Sequence, residues 1–261
     1  MRYQLFQVDS FTDKIFCGNP ACVIPLNEWL EDEILLKIAQ ENSVPETAFF
    51  IKNGKSFHIR WFTPDLEMDL CGHATLATAF VIHSMLDYSI DEINFISKSG
   101  KLKVNYKDKF YYLNFPSRPA EKSTIPKIIS NALNIQPSQV FKSRDYMLLY
   151  KNEQNIRDIN IDREIFDKIN LGNGGVIVTA KGDSADFVSR FFTPQSTILE
   201  DPVTGSSHCT LIPYWSSRLS KDNLISHQIS NRGGTLICKN KNNRVVIGGQ
   251  AVIFSSGWIS L

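Results

Sequence analysis

Apolar and polar residues alternate over short stretches of this chain, and this period of two is typical of half-buried β-strands. The stretches are rich in β-branched and aromatic residues and are bounded by glycine, proline, asparagine or aspartate. Strands are predicted at residues 3–9, 21–24, 48–51, 57–62, 94–97, 102–106, 110–115, 146–150, 176–180, 186–192, near 229, and at 236–239, 245–248 and 251–254. The chain is therefore predicted to be built mainly from strands.

Four stretches have helical spacing instead. Residues 31–42 place apolar side chains on one face and acidic residues at the start, as a short amphipathic helix does. Another helix is predicted near 125–133. The stretches 71–85 and about 205–219 are apolar nearly all round, which predicts helices that are buried on every side. Buried helices among many strands indicate an α+β protein.

The order of these elements repeats after half the chain. Arg60-Trp61-Phe62-Thr63-Pro64 matches Arg190-Phe191-Phe192-Thr193-Pro194, which lies 130 residues further on. Gly72 and Gly205, which open the two apolar helices, are 133 residues apart. A chance match of five residues would not bring the following glycine and buried helix with it, so the sequence predicts two homologous halves.

The boundary between the halves is predicted in residues 116–126, which are rich in proline, serine and charge. Residues 1–117 are expected to form the first domain and residues 118–261 the second. The sequence leaves open whether the last strand crosses back to the first half.

Composition excludes several classes of protein. Lys and Arg number 28 against 27 Asp and Glu, and this balance argues against a nucleic-acid partner, whose binding needs a basic face. The longest helix-like apolar stretch, 74–82, is far shorter than the roughly 20 residues that span a bilayer, so no membrane association is expected. The N-terminus alternates like a strand and does not resemble a signal peptide. Five cysteines without a C-x-x-C pair favour reduced thiols in the cytoplasm over disulfides or a zinc ribbon.

The two helix starts are the first candidate binding positions. Free N–H groups at a helix N-terminus bind anions, and glycine lets a ligand approach the backbone closely. Gly72 and Gly205, with Ser207 beside the second, are therefore predicted to bind a small molecule that carries a carboxylate. The alternative is that each glycine only makes a tight junction between a strand and a helix.

Four polar residues near these starts are candidates for chemistry. His73 follows Gly72, Ser206 is its counterpart in the second half, and Asp201 lies in the approach to the second helix. Glu46 enters an otherwise apolar strand, where burial of a carboxylate is costly unless it is paired or protonated, as in general acid/base groups. The alternatives are a structural histidine and an exposed glutamate. No metal-ligand spacing of histidines and no G-x-S-x-G elbow is present, so neither a metal site nor a hydrolase triad is predicted.

Several motifs resemble those of a known family, and they run from one end of the chain to the other. They are Asp9-Ser10-Phe11, Gly18-Asn19-Pro20-Ala21, Glu46-Thr47-Ala48-Phe49, Cys71-Gly72-His73-Ala74-Thr75-Leu76-Ala77, Glu200-Asp201-Pro202-Val203-Thr204-Gly205-Ser206, His208, Pro213-Tyr214-Trp215, Gly248-Gly249-Gln250-Ala251 and both Phe-Thr-Pro turns. On these residues the sequence resembles the PhzF-like family of phenazine-biosynthesis isomerases, within the diaminopimelate-epimerase-like superfamily.

The resemblance implies two pseudo-symmetric domains, each a β-barrel-like sheet wrapped around a central helix. It implies an active site in the cleft between them, usually in a homodimer, and proton transfer on a small carboxylate without cofactor or metal. The family's active-site residues fall on Glu46 as the general acid/base, on His73, Asp201 and Ser206 as further polar groups, and on Gly72 and Gly205 as helix starts.

One departure from the epimerase branch changes the expected chemistry. Epimerases of this superfamily use two cysteines, one per half, whereas here Cys71 corresponds to Thr204 in the second half. A two-thiol racemisation is therefore not expected, although a cysteine at a helix N-terminus would have a lowered pKa.

Three hypotheses stay open. The first is an isomerase that moves a double bond or inverts a centre with Glu46 as general acid/base. The second is an amino- or hydroxy-acid epimerase or racemase that uses Cys71 with a non-thiol partner. The third is a protein that binds small carboxylates without turnover.

Overall fold

The structure has two units, and in each of them strands enclose one of the two apolar helices. The computed structural model describes residues 1–86, 88 and 90–261. These residues divide into two units, one of Met1–Phe115 together with Ile247–Leu261 and the other of Pro116–Val246. Strands and helices are numbered in chain order below. Among the described residues, no helix combines the length and the apolar composition of a membrane-spanning segment.

The first unit is a set of strands wrapped around one helix, α2. Its strands are β1 (Arg2–Ser10), β2 (Asn19–Leu26), β3 (Glu46–Asn53), β4 (Ser56–Phe62), β5 (Glu67–Met68), β6 (Glu92–Ser97), β7 (Gly100–Lys107), β8 (Phe110–Pro116) and β18 (Ala251–Ser260). Its helices are α1 (Asp32–Asn42) and α2 (Gly72–Phe80), and α2 continues into a π-helical turn at Val81–Met85. Every residue of α2 from Gly72 to Ala79 is buried, as its apolar composition predicts.

Strand pairing brings the start of β3 close to the buried helix. β1 pairs with both β2 and β18, and β2 runs parallel to β3 with Ala21 opposite Glu46. Helix α2 packs against β1, β2, β3 and β18. Helix α1 packs on the other side of the sheet, where Leu35, Ile38 and Ala39 are buried against apolar residues of β2, β3 and β4. The carboxylate of Glu46 therefore enters the unit at the strand end that adjoins α2.

The second unit is built on the same plan around helix α6. Its strands are β9 (Glu121–Lys122), β10 (Gln139–Lys142), β11 (Tyr146–Leu149), β12 (Val176–Lys181), β13 (Phe187–Phe192), β14 (Glu200–Asp201), β15 (Asn223–Gln228), β16 (Gly234–Lys241) and β17 (Arg244–Gly249), which ends in the first unit. Its helices are α3 (Lys127–Ala132), α4 (Glu153–Asp158), α5 (Arg163–Phe166) and α6 (His208–Leu219).

The order of strand pairings is also shared. β11 runs parallel to β12, and β12 runs antiparallel to β13, as β2, β3 and β4 do in the first unit. One face of these strands packs on α6, where Phe187 stacks on Trp215 at 5.7 Å and Thr179 accepts a hydrogen bond from the indole N–H. The other face carries a separate apolar cluster under α3, α4 and α5, which corresponds to the position of α1.

The two Arg-x-Phe-Thr-Pro motifs make the same contacts in the two units. Arg60 donates two hydrogen bonds to the carboxylate of Glu67, and Arg190 donates two to Glu200, at 2.7–2.8 Å. Each guanidinium also lies over the phenylalanine two residues further on, at 5.1 and 4.9 Å from the ring centroid. The motif therefore fixes the short strands β5 and β14 on β4 and β13, just before each central helix begins.

The structure differs from the sequence prediction at several short elements. The strand predicted near Ile229 lies earlier, at Asn223–Gln228, and the second buried helix begins at His208 because a turn precedes it. The short elements β10, α4 and α5 were missed, since segments of four to six residues are too short to show a hydrophobic period.

Candidate functional site

Glu46 and His73 lie together in the first unit. Glu46 is the first residue of β3, and His73 is the second residue of α2. Nε2 of His73 is 3.0 Å from Oε2 of Glu46, and their side chains are only 3% and 14% exposed. The ring N–H is not aligned with this oxygen, so the buried Nε2 has no hydrogen-bond partner among the described residues. The pair is therefore close enough for a charge interaction.

The opposite edge of the His73 ring is held by Asn19. The Asn19 side-chain amide nitrogen lies 3.0 Å from Nδ1 of His73, at the start of β2. Because an asparagine amide can present either its nitrogen or its oxygen, it can hold the ring in both the neutral and the protonated state. Gly18, with φ of 67°, sets this position, since a Cβ there would meet the Ser10 carbonyl oxygen at 2.2 Å. Asn19 was predicted only as part of a motif and without a role.

Charge interactions determine the protonation of this cluster. Burial of the ring works to lower the pKa of His73, but interactions with Cys71 and Glu46 outweigh it and raise the pKa well above its ordinary value. Burial, with the nearby charge of Glu46, raises the pKa of Cys71 to about 11. Cys71 is therefore a neutral thiol at pH 7, and the charge that favours an imidazolium at His73 is that of Glu46.

The expectation that Cys71 has a lowered pKa, because it lies at a helix N-terminus, was wrong. The thiol is buried, and its Sγ lies 3.6 Å from Nδ1 of His73. Loss of hydration disfavours the thiolate more than the helix start and the imidazole favour it.

The same three side chains have donor atoms that can bind a metal. Oxygen of Glu46, sulfur of Cys71 and nitrogen of His73 lie within 4.8 Å of one another, and these are ligand types that zinc accepts. Binding would require the Cys71 thiol to lose a proton that burial strongly retains.

The start of α2 adds free hydrogen-bond donors to this cluster. In the part of the chain that the structure describes, the backbone N–H groups of Gly72 and His73 make no hydrogen bond within the protein. The His73 carbonyl, in contrast, accepts a hydrogen bond of 2.9 Å from the Ser10 hydroxyl, which fixes the backbone there. Unbonded N–H groups at a helix start are the donors on which the predicted anion binding at Gly72 depends.

In the second unit, Asp201 is the last residue of β14, and hydrogen bonds with the turn that follows hold it in place. Its Oδ2 accepts a hydrogen bond from the Thr204 hydroxyl. The buried Gln228 amide bridges the same turn, because it donates to the Asp201 carbonyl at 2.7 Å and accepts from the Thr204 N–H at 2.9 Å. The backbone of this loop is thereby fixed ahead of Gly205.

Ser206 and Ser207 follow this turn but have different surroundings. Oγ of Ser206 accepts a hydrogen bond of 3.1 Å from the Arg144 guanidinium, a residue that the sequence patterns did not single out. The Ser207 side chain turns inward, where Oγ donates to the Thr204 carbonyl at 2.8 Å. The Ser207 hydroxyl proton is therefore used within the protein and does not support the predicted role in substrate binding.

His208 begins α6 as a structural histidine. Its Nδ1 donates to the Thr204 carbonyl at 2.8 Å, and its Nε2 accepts from the Ser226 hydroxyl at 3.0 Å. The ring is fully buried, and this burial lowers its pKa to about 4. His208 is therefore neutral at pH 7 and holds the turn before α6.

The structure thus brings the predicted site residues together as two groups, each within its own unit. The first group contains Glu46, Gly72 and His73, and the second contains Asp201, Gly205, Ser206 and Ser207. Asn19 and Arg144 are additional polar contacts of the two groups.

Comparison with known proteins identifies the family. The family model described as phenazine biosynthesis-like protein matches residues 8–257. The chain belongs to this family. Over 263 aligned residues, the chain is 45% identical to the uncharacterized isomerase PA3578 of Pseudomonas aeruginosa, and the alignment covers 100% of both chains. The sequence resemblance to PhzF-like isomerases is therefore confirmed.

Solved structures of related proteins confirm the fold. A phenazine biosynthesis protein of the PhzF family from Enterococcus faecalis matches with a TM-score of 0.94 at 45% identity, covering 100% of both chains. A hydroxyproline epimerase from Agrobacterium vitis matches with a TM-score of 0.63 at 12% identity, covering 100% of this chain and 93% of that one. The similarity to the epimerase is one of fold alone. It shows that the chain has the diaminopimelate-epimerase-like fold.

Proposed function

We propose that this protein is a cofactor-independent isomerase that transfers a proton on a small substrate carrying a carboxylate, with Glu46 as the general acid/base. The observation that carries the proposal is the contact of Glu46 with His73, at 3.0 Å and largely out of solvent. Family membership and the isomerase names of relatives support the reaction class.

The geometry of the first unit supports a division of roles. Glu46 removes the proton from a carbon next to, or conjugated with, the carboxylate and returns it at another position. The imidazolium of His73 stabilises the negative charge that develops on the substrate. The unbonded N–H groups of Gly72 and His73 act on the same charge in the manner of an oxyanion hole. Asp201 and Ser206 keep their sequence-based assignment as residues that orient the substrate.

Solvent deuterium exchange tests the role of Glu46. A panel of small unsaturated, amino and hydroxy carboxylic acids is incubated with the enzyme in D2O, and incorporation is followed by NMR and mass spectrometry. Glu46→Gln removes the base but keeps the shape of the side chain, so exchange is expected to fall by about a hundredfold or more. Glu41→Gln is the matched control, because Glu41 is exposed on α1. Undiminished exchange in Glu46→Gln would contradict the assignment.

The same assay separates the two other hypotheses. Cys71→Ser is expected to keep near-normal exchange, because a thiol with a pKa of about 11 is a poor base at pH 7. A large loss in that variant would instead favour the Cys71-dependent epimerase. Saturable binding of acids with no exchange in any of them would favour a binding protein without turnover.

The homodimer that the resemblance implies and the cytoplasmic location that the cysteine usage favours belong to the same proposal. Light scattering of the purified chain is expected to give twice the monomer mass of 29.6 kDa.

A further inference from the structure

Glu46, Cys71 and His73 bring three kinds of metal-binding atom together within the first unit. One oxygen, one sulfur and one nitrogen lie within 4.8 Å of one another. Among the residues that the structure describes, this is the one cluster of three histidine, cysteine or acidic side chains close enough to bind a common ion. The sequence did not predict a metal site here, because Glu46 lies far along the chain from the other two residues.

The edge of the His73 ring that faces Glu46 has the geometry of a metal ligand. Nε2 of His73 is 3.0 Å from the Glu46 carboxylate but is not aligned with its oxygen, and this buried nitrogen makes no hydrogen bond to any described residue. A nitrogen and an oxygen that bind the same zinc ion, each at about 2.1 Å, are likewise about 3 Å apart without pointing at each other. An ion bound to Nε2 would therefore have the carboxylate within reach.

Cys71 and Asn19 complete this arrangement on the other edge of the ring. The sulfur of Cys71 lies 3.6 Å from Nδ1 of His73 and belongs to the same set of three donors. The Asn19 side chain holds Nδ1 at 3.0 Å. Histidines that bind a metal through one nitrogen are ordinarily held by a polar group at the other, so Asn19 occupies the position of such a supporting group.

The charges of the three side chains suit a divalent cation. Among the described residues, the ion-pair partner of Glu46 is His73, and no lysine or arginine neutralises it. A bound cation displaces the thiol proton of Cys71 and the extra proton of the His73 imidazolium to solvent. The resulting thiolate and carboxylate balance the two positive charges of the ion, so the buried complex has no net charge.

We propose that Glu46, Cys71 and His73 form a binding site for Zn²⁺, and that the bound ion inhibits the protein. The inhibition rests on the proposed function, because the ion occupies the carboxylate and the Nε2 that proton transfer uses, whereas the binding itself does not. Sulfur and imidazole ligands select Zn²⁺ over Mg²⁺, which prefers oxygen ligands. The metal-free protein is therefore the active form.

Binding of Co²⁺ to the full chain, without substrate, tests the site directly. Co²⁺ substitutes for Zn²⁺ as a probe, because it reports its ligands by absorption and Zn²⁺, with a filled d shell, does not. We expect one Co²⁺ per chain with the charge-transfer absorption of a thiolate ligand, and loss of this absorption when Zn²⁺ is added. Absence of thiolate absorption at saturating Co²⁺ overturns the site.

Substitutions assign the absorption to individual residues. Cys71→Ser is expected to abolish it, and Glu46→Gln to weaken Co²⁺ binding by more than about tenfold, the least that loss of a supporting contact costs. Cys17→Ser is the control, because Cys17 is the least buried of the five thiols and the one most open to adventitious binding. Cys71→Ala separates loss of the ligand from the effect of a buried hydroxyl. Thiolate absorption that persists in both Cys71 variants, or is lost in Cys17→Ser, overturns the assignment.

The deuterium-exchange assay tests the inhibition. With an acid that exchanges, Zn²⁺ is expected to stop exchange in the wild type and EDTA to restore it, whereas Mg²⁺ has no effect. Cys71→Ser is expected to need at least about tenfold more Zn²⁺ for the same inhibition. Exchange that continues at saturating Zn²⁺, or equal inhibition by Mg²⁺, overturns inhibition through this site.

The metal site and the proposed reaction fail in different ways. Co²⁺ binding that depends on Cys71, with no exchange of any acid, would support the metal site and contradict the proposed reaction. Exchange that depends on Glu46, in a protein that binds no Co²⁺ at Cys71, would support the reaction and overturn the metal site.

Discussion

At the scale of single residues, the chemistry of the first unit depends on two charges that stabilise each other. Interactions with Cys71 and with the adjacent Glu46 raise the pKa of His73 well above its ordinary value, despite the burial of the ring. Asn19 orients the ring from the other side. Each group depends on the other, because a lone buried charge of either sign would be costly.

This mutual dependence predicts how His73 titrates. In Glu46→Gln the pKa of His73 is expected to fall, since burial then acts without the opposing carboxylate. A histidine whose pKa is higher in the folded than in the unfolded state stabilises the folded state at pH values below its unfolded pKa of about 6.5. This stabilisation is lost as the pH rises through the folded pKa. The stability advantage of the wild type over Glu46→Gln should therefore shrink above pH 6.5. Titration of the imidazole carbon signals by NMR measures the shift, and the same pKa in both proteins would refute the coupling.

At the scale of elements, helix α2 is packed so closely that a glycine is required in a neighbouring strand. Gly249 ends β17 against α2, where an added Cβ would lie 2.3 Å from the Phe11 ring and 3.1 Å from the Leu76 side chain. Phe11 is 1% exposed and cannot turn out to solvent without exposing the core. The first unit therefore excludes a side chain at this point of contact.

Substitution at two glycines tests this packing. Gly249→Ala is expected to destabilise the protein by about 1–3 kcal/mol, the usual cost of overpacking. Gly257→Ala on β18 is the control, because a methyl group added there would have no atom within 4 Å. Chemical denaturation compares the two variants with the wild type. Equal stability of the two variants would show that the core adjusts around Gly249.

At the scale of the whole molecule, the two units keep one plan but carry different polar groups. The shared Arg–Glu contacts align Glu67 with Glu200, so Asp201 occupies the strand position that Met68 has in the first unit. In the sequence alignment of the halves, His73 corresponds to Ser206. The two copies therefore differ in the polar groups around the starts of their central helices, although they share one plan.

Each unit has its own core, and this predicts a local response to acid. His208 is neutral when folded, with a pKa of about 4, whereas the unfolded residue protonates near 6.5. Because the unfolded state binds the extra proton, stability falls by up to about 1.4 kcal/mol per pH unit between these values on acidification. Amide protection factors from hydrogen exchange, which are corrected for the intrinsic exchange rate at each pH, should therefore fall in Pro116–Val246 before they do in Met1–Phe115.

Two variants check this response. His208→Gln is expected to remove the slope between pH 6.5 and 4, whereas His58→Gln, in the first unit, should retain it. A slope that persists in His208→Gln would assign the acid sensitivity to another group.

The sequence was most informative where the pattern is local. The amphipathic helix at Asp32–Asn42 and the all-round apolar helices could be predicted, since helical period and apolar content are read over about ten neighbouring residues. Glu46 and His73 were predicted as site residues because each lies at the boundary of a strand or helix and within a distinctive motif. Arg144 had no such signal, because its partner Ser206 is 62 residues away.

The sequence by itself determined the duplicated plan, the two buried helices and the residue types at their starts, because repeated motifs and hydrophobic periods are properties of neighbouring residues. Only the tertiary structure decided which side chains meet: His73 with Asn19, 54 residues apart, and Ser206 with Arg144. It also reversed the expectation for Cys71, since the pKa of a thiol depends on its burial by distant parts of the chain. Hydrogen bonding, burial and charge at a site arise from packing between remote segments.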